Sequence, residues 1–437
     1  MASRAALWHG GGASSHISGA ASSVSAAGSS FGAEIMAMTD RLAGWSDAPP
    51  GLTCAYLTPA HRATAAQLRE WMQAAGMTVH IDAVGNVVGR YPAADPMART
   101  LITGSHYDTV RNGGRYDGRL GIVLPIAAVG ALHRTGRRLP FHLEVIGFAE
   151  EEGVRFASTF LGSSAVAGRF DPAVLARRDA DGISMAQAMR EAGLDPAAIP
   201  ALARRPETLL GYLEVHIEQG PVLLDAGLPL GVVTAIAGSA RHVVTIVGEA
   251  GHAGTVPMGL RRDAAVAAAE LVLYVERRCA AAPTLVGTVG RLGVPDGAIN
   301  VIPGRSELSL DIRAGDDATR DGAVADVLAE IERIATRRRV EIETVEVLRS
   351  PAVPCAPALQ DLLAGAIERA GVRVRRLPSG AGHDAVMFNG LTDVGMLFVR
   401  CGNGGISHNP RETMTADDAD LAARVFIDAL TQLGARR

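Results

Sequence analysis

The sequence predicts an α/β protein that has a mostly parallel central sheet and an inserted, smaller α+β unit. Two observations support this prediction. Apolar, strand-like segments at 101–103 and 142–149 alternate with helical segments such as 120–132, and this alternation is typical of α/β layers around a parallel sheet. After about residue 234 the alternation gives way to strands that bracket two helices. That change indicates a small two-layer sandwich.

Local signals place the elements of the first unit. Thr58 and Pro59 are typical of a helix start, and Gly76 of a helix end. A last helix is predicted from about 416 to 433, with Thr415 and Asp418 in capping-box spacing. A further strand is predicted at 78–82.

The second unit is predicted from alternating residues and helical periodicity. Its strands and helices are expected at 242–247, 262–279, 288–291, 307–313 and 321–336. The predicted division is a catalytic domain formed by 33–234 and 350–437, and an inserted lid and dimerisation domain at 235–349. Residues 1–32 are rich in Ser, Ala and Gly, and we expect them to be a disordered, low-complexity leader.

Composition excludes several kinds of partner. The chain has 437 residues, 48% apolar, and a formal net charge of -4, so no general attraction to nucleic acid or an anionic membrane is expected. No apolar run approaches the roughly 18 residues of a membrane span. The four cysteines are scattered without Cys-x-x-Cys spacing. A reducing, cytoplasmic setting fits this use of cysteine.

Histidines and carboxylates follow the ends of several apolar segments. They are His106, Asp117, the run Glu150-Glu151-Glu152, His216 and His408. Ligands bind at the carboxyl ends of strands in parallel sheets. Three imidazoles and two carboxylates suit two divalent metals and leave one carboxylate as a base. This is the equipment of a two-metal hydrolase.

Each of these residues also has a simpler interpretation. A single buried histidine is usually a core residue, and three adjacent glutamates are often a solvated turn. Here the glutamates follow a buried-looking strand, where their mutual repulsion is tolerable if cations neutralise them. Asp108 is placed to accept a hydrogen bond from the second ring nitrogen of His106, and Gly118 lets the chain turn closely after Asp117.

Five motifs carry a resemblance to a known family. They are Glu151-Glu-Gly-Val-Arg-Phe156, His216-Ile-Glu-Gln-Gly-Pro, Gly-His252-Ala-Gly, Gly-Ala-Gly-His383-Asp-Ala and Ser-His408-Asn-Pro. In this order, from about residue 35 to the end, the chain resembles the hydantoinase/carbamoylase family of dinuclear metal amidohydrolases. That family belongs to the aminoacylase and dipeptidase type of metallopeptidase, so a metallopeptidase-like catalytic domain is implied.

The resemblance implies roles for individual residues. Asp117 would bridge two divalent ions (zinc, or manganese, cobalt or nickel), and Glu151 would be the general base. Either His106 and His216 serve different ions, or His106 and Glu152 are the outer ligands. The implied metal ligands are His106, Asp117, Glu152, His216 and His408. The implied substrate contacts are Gln219, His252, Asn300, Arg313, Gly382 and His383.

The resemblance also implies an activity. We expect hydrolysis of a linear carbamoyl or ureido C–N bond in a small substrate that carries a carboxylate, with His252 helping to stabilise the oxyanion. His252 can reach the site of a neighbouring subunit in this family, which implies a homodimer. An N-carbamoyl-L-amino-acid hydrolase is the first expectation. Allantoate amidohydrolase, ureidoglycolate amidohydrolase and β-ureidopropionase are alternatives, and an aminoacylase or dipeptidase is a more distant one.

Overall fold

A nine-stranded mixed sheet forms the centre of the computed structural model, which describes residues 30–435. In chain order its strands are β1 (Thr78–Ile81), β2 (Val87–Tyr91), β3 (Thr100–His106), β4 (His142–Phe148), β5 (Leu209–Ile217), β6 (Leu230–Ile236), β13 (Val353–Pro354), β14 (Arg376–Ser379) and β15 (Val394–Val399). The spatial order is β1-β2-β4-β3-β5-β15-β6-β13, and β14 also pairs with β6. The four central strands, β4, β3, β5 and β15, are parallel.

Helices cover both faces of this sheet. They are α1 (Phe31–Ala43), α2 (Pro59–Ala74), α3 (Leu120–Arg134), α4 (Leu161–Val166), α5 (Met185–Glu191), α6 (Val222–Asp225), α9 (Pro357–Arg369), α10 (Ala385–Phe388) and α11 (Ala416–Ala435). A hydrophobic core lies on each face of the sheet. Side chains of successive strand residues point to opposite faces, so Leu101 packs into one core and Ile102 into the other. Helix α3 is buried almost all round, as its continuous apolar sequence predicts.

A second sheet of four antiparallel strands has its own core. Its strands are β7 (Gly238–Val247), β9 (Leu285–Gly293), β11 (Arg305–Ala314) and β12 (Glu341–Ser350), in the order β12-β7-β11-β9. Helices α7 (Ala264–Ala280) and α8 (Asp317–Arg338) cover one face. The short strands β8 (Gly251–His252) and β10 (Val301–Ile302) pair beside this sheet.

The predicted fold class, a mostly parallel central sheet with a smaller α+β unit, is confirmed. Individual elements differ mainly in their ends. The predicted strand at 101–103 is the middle of the longer β3, and α8 begins at Asp317 rather than at 321. Helix α1 starts at Phe31 with Ser30 as its cap, so the predicted leader extends two residues too far. The rest of that leader, residues 1–29, lies outside the described residues. Separate folding and dimerisation of 235–349 stay predictions.

Candidate metal centre

The predicted site residues meet because their strands are neighbours. Strand β3 lies between β4 and β5, and all three are parallel. Their carboxyl ends therefore share one edge of the sheet, which is where ligands bind in such folds. His106 ends β3, the three glutamates follow β4, and His216 is the penultimate residue of β5.

Asp117 lies at the centre of the cluster, and each of its carboxylate oxygens lies near at least one histidine. Its Oδ1 is 3.7 Å from Nε2 of His106 and 3.3 Å from Nε2 of His216. Its Oδ2 is 3.0 Å from Nε2 of His408, which is itself 3.4 Å from Glu152 Oε1. Two three-residue groups result, His106–Asp117–His216 and Asp117–Glu152–His408, and the candidate ligand atoms in each lie within 4.8 Å of one another.

This grouping indicates which of the two proposed ions each histidine would bind. His106 and His216 lie on the same side of Asp117, which differs from the expectation that they serve different ions. The alternative with His106 and Glu152 as outer ligands on opposite sides of Asp117 is compatible with the geometry. All five expected ligands come together, although His408 lies far from Asp117 in the chain. Its neighbour Ser407, which donates to Asp117 Oδ2, is 290 residues away from Asp117.

Hydrogen bonds fix which ring nitrogen of each buried histidine is available. Nδ1 of His106 bonds the backbone carbonyl of Asp108 at 3.1 Å, and Nδ1 of His216 bonds the carbonyl of Ile217 at 2.8 Å. Because a carbonyl only accepts, both Nδ1 atoms carry hydrogen and both Nε2 atoms offer a lone pair toward Asp117.

The carboxylate of Asp108 has a second role besides the expected one. It lies 3.4 Å from His106 Nδ1, farther than the backbone carbonyl of the same residue. Its two oxygens also accept the N–H groups of Glu151 and Glu152, each at 3.1 Å. Asp108 therefore holds the glutamate turn in place.

Gly118 allows the close approach of the Asp117 loop to the histidines. Its φ is +66°, and a Cβ there would lie 2.5 Å from the imidazole of His106. Its N–H donates to Nε2 of His216 at 3.2 Å. Any larger residue would both strain the backbone and displace a ligand.

The electrostatics of the cluster favour bound cations. Burial raises the pKa of Glu152 to about 7 and that of Glu151 well above its ordinary value. The hydrogen bond to Asp117 raises the pKa of His408 to about 9, whereas burial lowers that of His216 to about 4. Asp117 Oδ1 is buried and has no hydrogen-bond partner among residues 30–435. Two divalent cations would supply that partner and offset the crowded carboxylates, so the donor set fits them.

Glu151 lies beside the cluster without joining either group on Asp117. Its carboxylate lies within 4.8 Å of candidate ligand atoms of His106 and Glu152, and the residue is 8% exposed. Glu150, the first residue of the run, is fully buried. Glu151 is thus close enough to reach a reacting water while Glu152 faces His408.

Glu412 is a site residue that the sequence analysis missed. Its Oε1 accepts the N–H groups of Tyr116 and Asp117, and its Oε2 lies 2.7 Å from Ser407 Oγ. The sequence signal was a glutamate four residues after His408, close to a ligand, but nothing indicated that it faces Asp117.

Gln219 is the expected substrate residue closest to the cluster. Its amide nitrogen is 2.9 Å from Asp117 Oδ2 and 3.3 Å from His408 Nε2. Its Oε1 is buried and has no hydrogen-bond partner within the described part of the chain. An amide in this position can present an acceptor to a substrate N–H group.

His383 and Gly382 lie behind and beside the cluster. His383 is 1% exposed, its ring contacts that of His216 edge-on at 4.5 Å, and its Nε2 is 2.7 Å from Ser379 Oγ. His383 is therefore better placed to pack against the ring of His216 than to contact a substrate. Gly382 is exposed, and a Cβ there would lie 2.9 Å from Phe160.

The remaining expected substrate residues belong to the smaller unit. His252 and Asn300 are exposed, and the N–H of Ala253, next to His252, donates a hydrogen bond to the Asn300 carbonyl. Among the hydrogen bonds of residues 30–435, none joins His252 to the metal cluster. Arg313 reaches the first unit, where its Nη1 donates to the Gly380 carbonyl at 2.8 Å.

Known proteins are similar to this chain in sequence and fold. The model of peptidase family M20/M25/M40 matches residues 102–432. The N-carbamoyl-L-amino acid amidohydrolase of Geobacillus stearothermophilus is 40% identical over 383 residues, which cover 88% of this chain and 93% of that protein. The allantoate deiminase of Arabidopsis thaliana is 39% identical over 428 residues, with 91% and 81% covered.

A solved structure extends the similarity to the whole fold. The amidase of the hydantoinase/carbamoylase family from Burkholderia multivorans superposes with a TM-score of 0.87 at 32% identity, and covers 92% of this chain and 98% of that one. The fold and the histidine–carboxylate centre define a metal-dependent hydrolase. The chain belongs to peptidase family M20/M25/M40, in its hydantoinase/carbamoylase branch of amidohydrolases. The expected family is thereby confirmed.

Proposed function

We propose that this protein is a dinuclear amidohydrolase that cleaves the carbamoyl C–N bond of N-carbamoyl-L-amino acids. The observation that carries the proposal is the pair of ligand groups on the two oxygens of Asp117, with the buried Glu151 beside them. The similarity to the Geobacillus amidohydrolase supports the substrate class.

The chain offers one set of ligands for each of two cations. His106, Asp117 and His216 would hold one, and Asp117, Glu152 and His408 the other. Zinc, manganese, cobalt and nickel all suit mixed imidazole and carboxylate ligands. When bound, the ions polarise the ureido carbonyl and make a water molecule more acidic.

Glu151 is the proposed general base. Its burial raises its pKa well above the ordinary value, which favours a carboxylate that accepts a proton and then returns it. Glu151 takes a proton from water as the water oxygen attacks the carbamoyl carbon, and gives it to the leaving nitrogen as the C–N bond breaks. One water and one N-carbamoyl amino acid yield ammonia, carbon dioxide and the amino acid.

Gln219 and Arg313 are the proposed residues that orient the substrate. The unpaired Gln219 Oε1 can accept from the ureido N–H group beside the cluster. Arg313 presents a planar guanidinium, which matches a carboxylate in a fork geometry. Holding both ends of the substrate places its carbamoyl carbon for attack.

A homodimer is proposed because His252 lies apart from its own cluster. Its Nδ1 accepts the Gly254 N–H at 3.0 Å, so the neutral ring carries its hydrogen on Nε2 and can donate to an oxyanion. Large apolar side chains in the segments that follow His252 and precede Asn300 are exposed, with Met258 75%, Leu260 66% and Ile299 105% exposed. Exposed apolar residues of this size favour cover by another protein surface, and a second subunit would use His252 in its site.

The cellular setting is proposed from the cysteines alone. Cys54, Cys279, Cys355 and Cys401 are all buried and free, which supports a reducing compartment such as the cytoplasm. Within the described residues, no helix is long and apolar enough to cross a membrane.

Allantoate hydrolysis is the second candidate, favoured by the 39% identity to the Arabidopsis deiminase. Allantoate also joins a ureido group to a carboxylate, so the same residues would serve. Ammonia release from metal-loaded protein should be compared for N-carbamoyl-L-amino acids, allantoate, ureidoglycolate and N-carbamoyl-β-alanine. We expect the highest kcat/KM for an N-carbamoyl-L-amino acid. A higher value for allantoate would select the second candidate, and cleavage of N-acetyl amino acids alone would contradict both.

A further inference from the structure

Arg241, Asp311 and Arg313 form a charged triad on the face of the small sheet that its helices leave open. The carboxylate of Asp311 accepts two hydrogen bonds from Arg313, from Nε–H to Oδ1 at 3.0 Å and from Nη2–H to Oδ2 at 2.9 Å. Its Oδ2 also accepts Nε of Arg241 at 3.0 Å. Arg241 and Asp311 are direct partners in the pairing of β7 with β11, and Arg313 follows two residues later on the same face.

The hydrogen bonds of Arg313 leave a defined pair of donors. A guanidinium has five N–H groups. Asp311 takes one from Nε and one from Nη2, and the Gly380 carbonyl takes one from Nη1. One N–H therefore remains on each terminal nitrogen. Two such donors can bind one carboxylate, and the contacts to Asp311 and Gly380 restrict how the guanidinium can rotate.

Arg241 changes the charge of the triad. Asp311 alone would neutralise Arg313 and weaken its attraction for an anion. Arg241 adds a second positive charge, and among the described residues its side chain has no hydrogen bond other than that to Asp311. Burial would raise the pKa of Asp311, but Arg313 and Arg241 hold it below its ordinary value. The triad thus keeps two cations around one ionised carboxylate.

The triad is accessible to a small molecule. Arg241, Asp311 and Arg313 line an open cavity of about 540 Å³ together with Gly380. The cavity lies on the open face of the small sheet, and Gly380 is its lining residue from the first unit. Gly380 begins the segment that leads to His383 behind the metal cluster.

We propose that Asp311 is a positioning residue, which presents the free N–H pair of Arg313 to the carboxylate of the substrate, and that Arg241 supplies the positive charge that Asp311 would otherwise cancel. This inference rests on the proposed function, since it deepens the role of Arg313 there. The positioning role of Asp311 and its negative charge predict opposite effects on carboxylate binding when Asp311 is removed. Removing a negative charge should by itself strengthen carboxylate binding, whereas loss of positioning should weaken it.

The test compares an N-carbamoyl-L-amino acid with its carboxamide, through the ratio of their kcat/KM values. This ratio does not depend on the fraction of folded enzyme. In Asp311→Ala we expect the preference for the acid to fall about tenfold or more, the size of one charge-assisted hydrogen bond. Glu307→Gln is the matched control, because Glu307 lies on the same strand, pairs with Arg305 instead, and should leave the ratio unchanged.

Arg241→Gln tests whether the positive charge of Arg241 strengthens carboxylate binding. It should lower the preference for the acid several-fold and reduce its dependence on salt concentration. A preference that is unchanged or stronger in Asp311→Ala would overturn the positioning role, and an unchanged preference in Arg241→Gln would overturn the charge role.

A binding measurement separates this inference from the proposed function. Calorimetric titration of Glu151→Gln protein with the acid and the amide reads the same discrimination without turnover. If wild-type enzyme releases no ammonia from any ureido substrate, the proposed function fails, but the titration still tests the triad. Equal binding of acid and amide there would overturn the triad as a carboxylate site.

Discussion

Glu412 and Asp117 are joined through the backbone, since Oε1 of Glu412 accepts the N–H groups of Tyr116 and Asp117 at 2.9 and 3.2 Å. Its other oxygen lies 2.7 Å from Ser407 Oγ, next to His408. One buried carboxylate thus connects the loop of the proposed bridging ligand to the loop of the last ligand. The connection matters because these loops are far apart in sequence and neither is part of the sheet.

Substitution of Glu412 should therefore weaken metal binding. In Glu412→Gln we expect metal affinity to fall about 10–100-fold, as for other residues that orient ligands. Competition with a chromogenic chelator would measure it. The exposed Asp417 nearby provides the control, and Asp417→Asn should bind metal normally. Unchanged metal affinity in Glu412→Gln would mean that Glu412 stabilises only the fold.

Glu151→Gln should separate catalysis from metal binding. Because Glu151 joins neither group on Asp117, the variant should retain its metal while kcat falls by about 10²–10⁴. Elemental analysis and ammonia release measure the two quantities. Glu152→Gln is the comparison, since it removes a proposed ligand and should lose metal. If Glu151→Gln loses metal in proportion to activity, Glu151 is a ligand instead of the base.

Chelation should abolish turnover, and added zinc, manganese, cobalt or nickel should restore it. Magnesium should restore less, because it prefers all-oxygen ligands and this site offers three imidazoles. A structure of the loaded enzyme should show two ions about 3.5–4 Å apart on either side of Asp117. Full activity of protein shown by elemental analysis to lack metal would refute the proposed chemistry.

His61 should make the fold sensitive to mild acid. Its burial lowers its pKa from 6.5 to about 4, while its Nε2 bonds the Ala149 carbonyl at 2.6 Å. The unfolded chain thus binds a proton at higher pH than the folded one, so stability present above pH 6.5 is lost as the pH falls toward 4. The loss from this residue is on the order of 3 kcal/mol.

Urea unfolding of metal-loaded protein across this pH range would measure that effect. His61→Gln should be less stable at pH 8 but should lose less free energy of unfolding on acidification, because glutamine does not titrate. The exposed His80 serves as control, and His80→Gln should follow the wild type. Parallel pH profiles for His61→Gln and wild type would rule out this contribution.

Much of the fold could be predicted from local sequence. The continuous apolar run of α3 and the cap at Thr58 depend on neighbouring residues alone, and both appear as expected. The ends of elements were less predictable, because the pairing of β3 with two neighbours extends it to His106. The candidate ligand residues were identified by type and motif, and the structure brings all five together.

The sequence by itself determined the fold class, the family and the candidate metal ligands, since these follow from periodicity, composition and short motifs. Only the tertiary structure decided how those side chains are arranged. It placed His106 and His216 on one oxygen of Asp117, and it set Glu412 against the Asp117 loop and Asp311 against Arg313. The physical reason is that such contacts depend on strand order and loop paths, which join residues far apart in the chain and leave no local pattern.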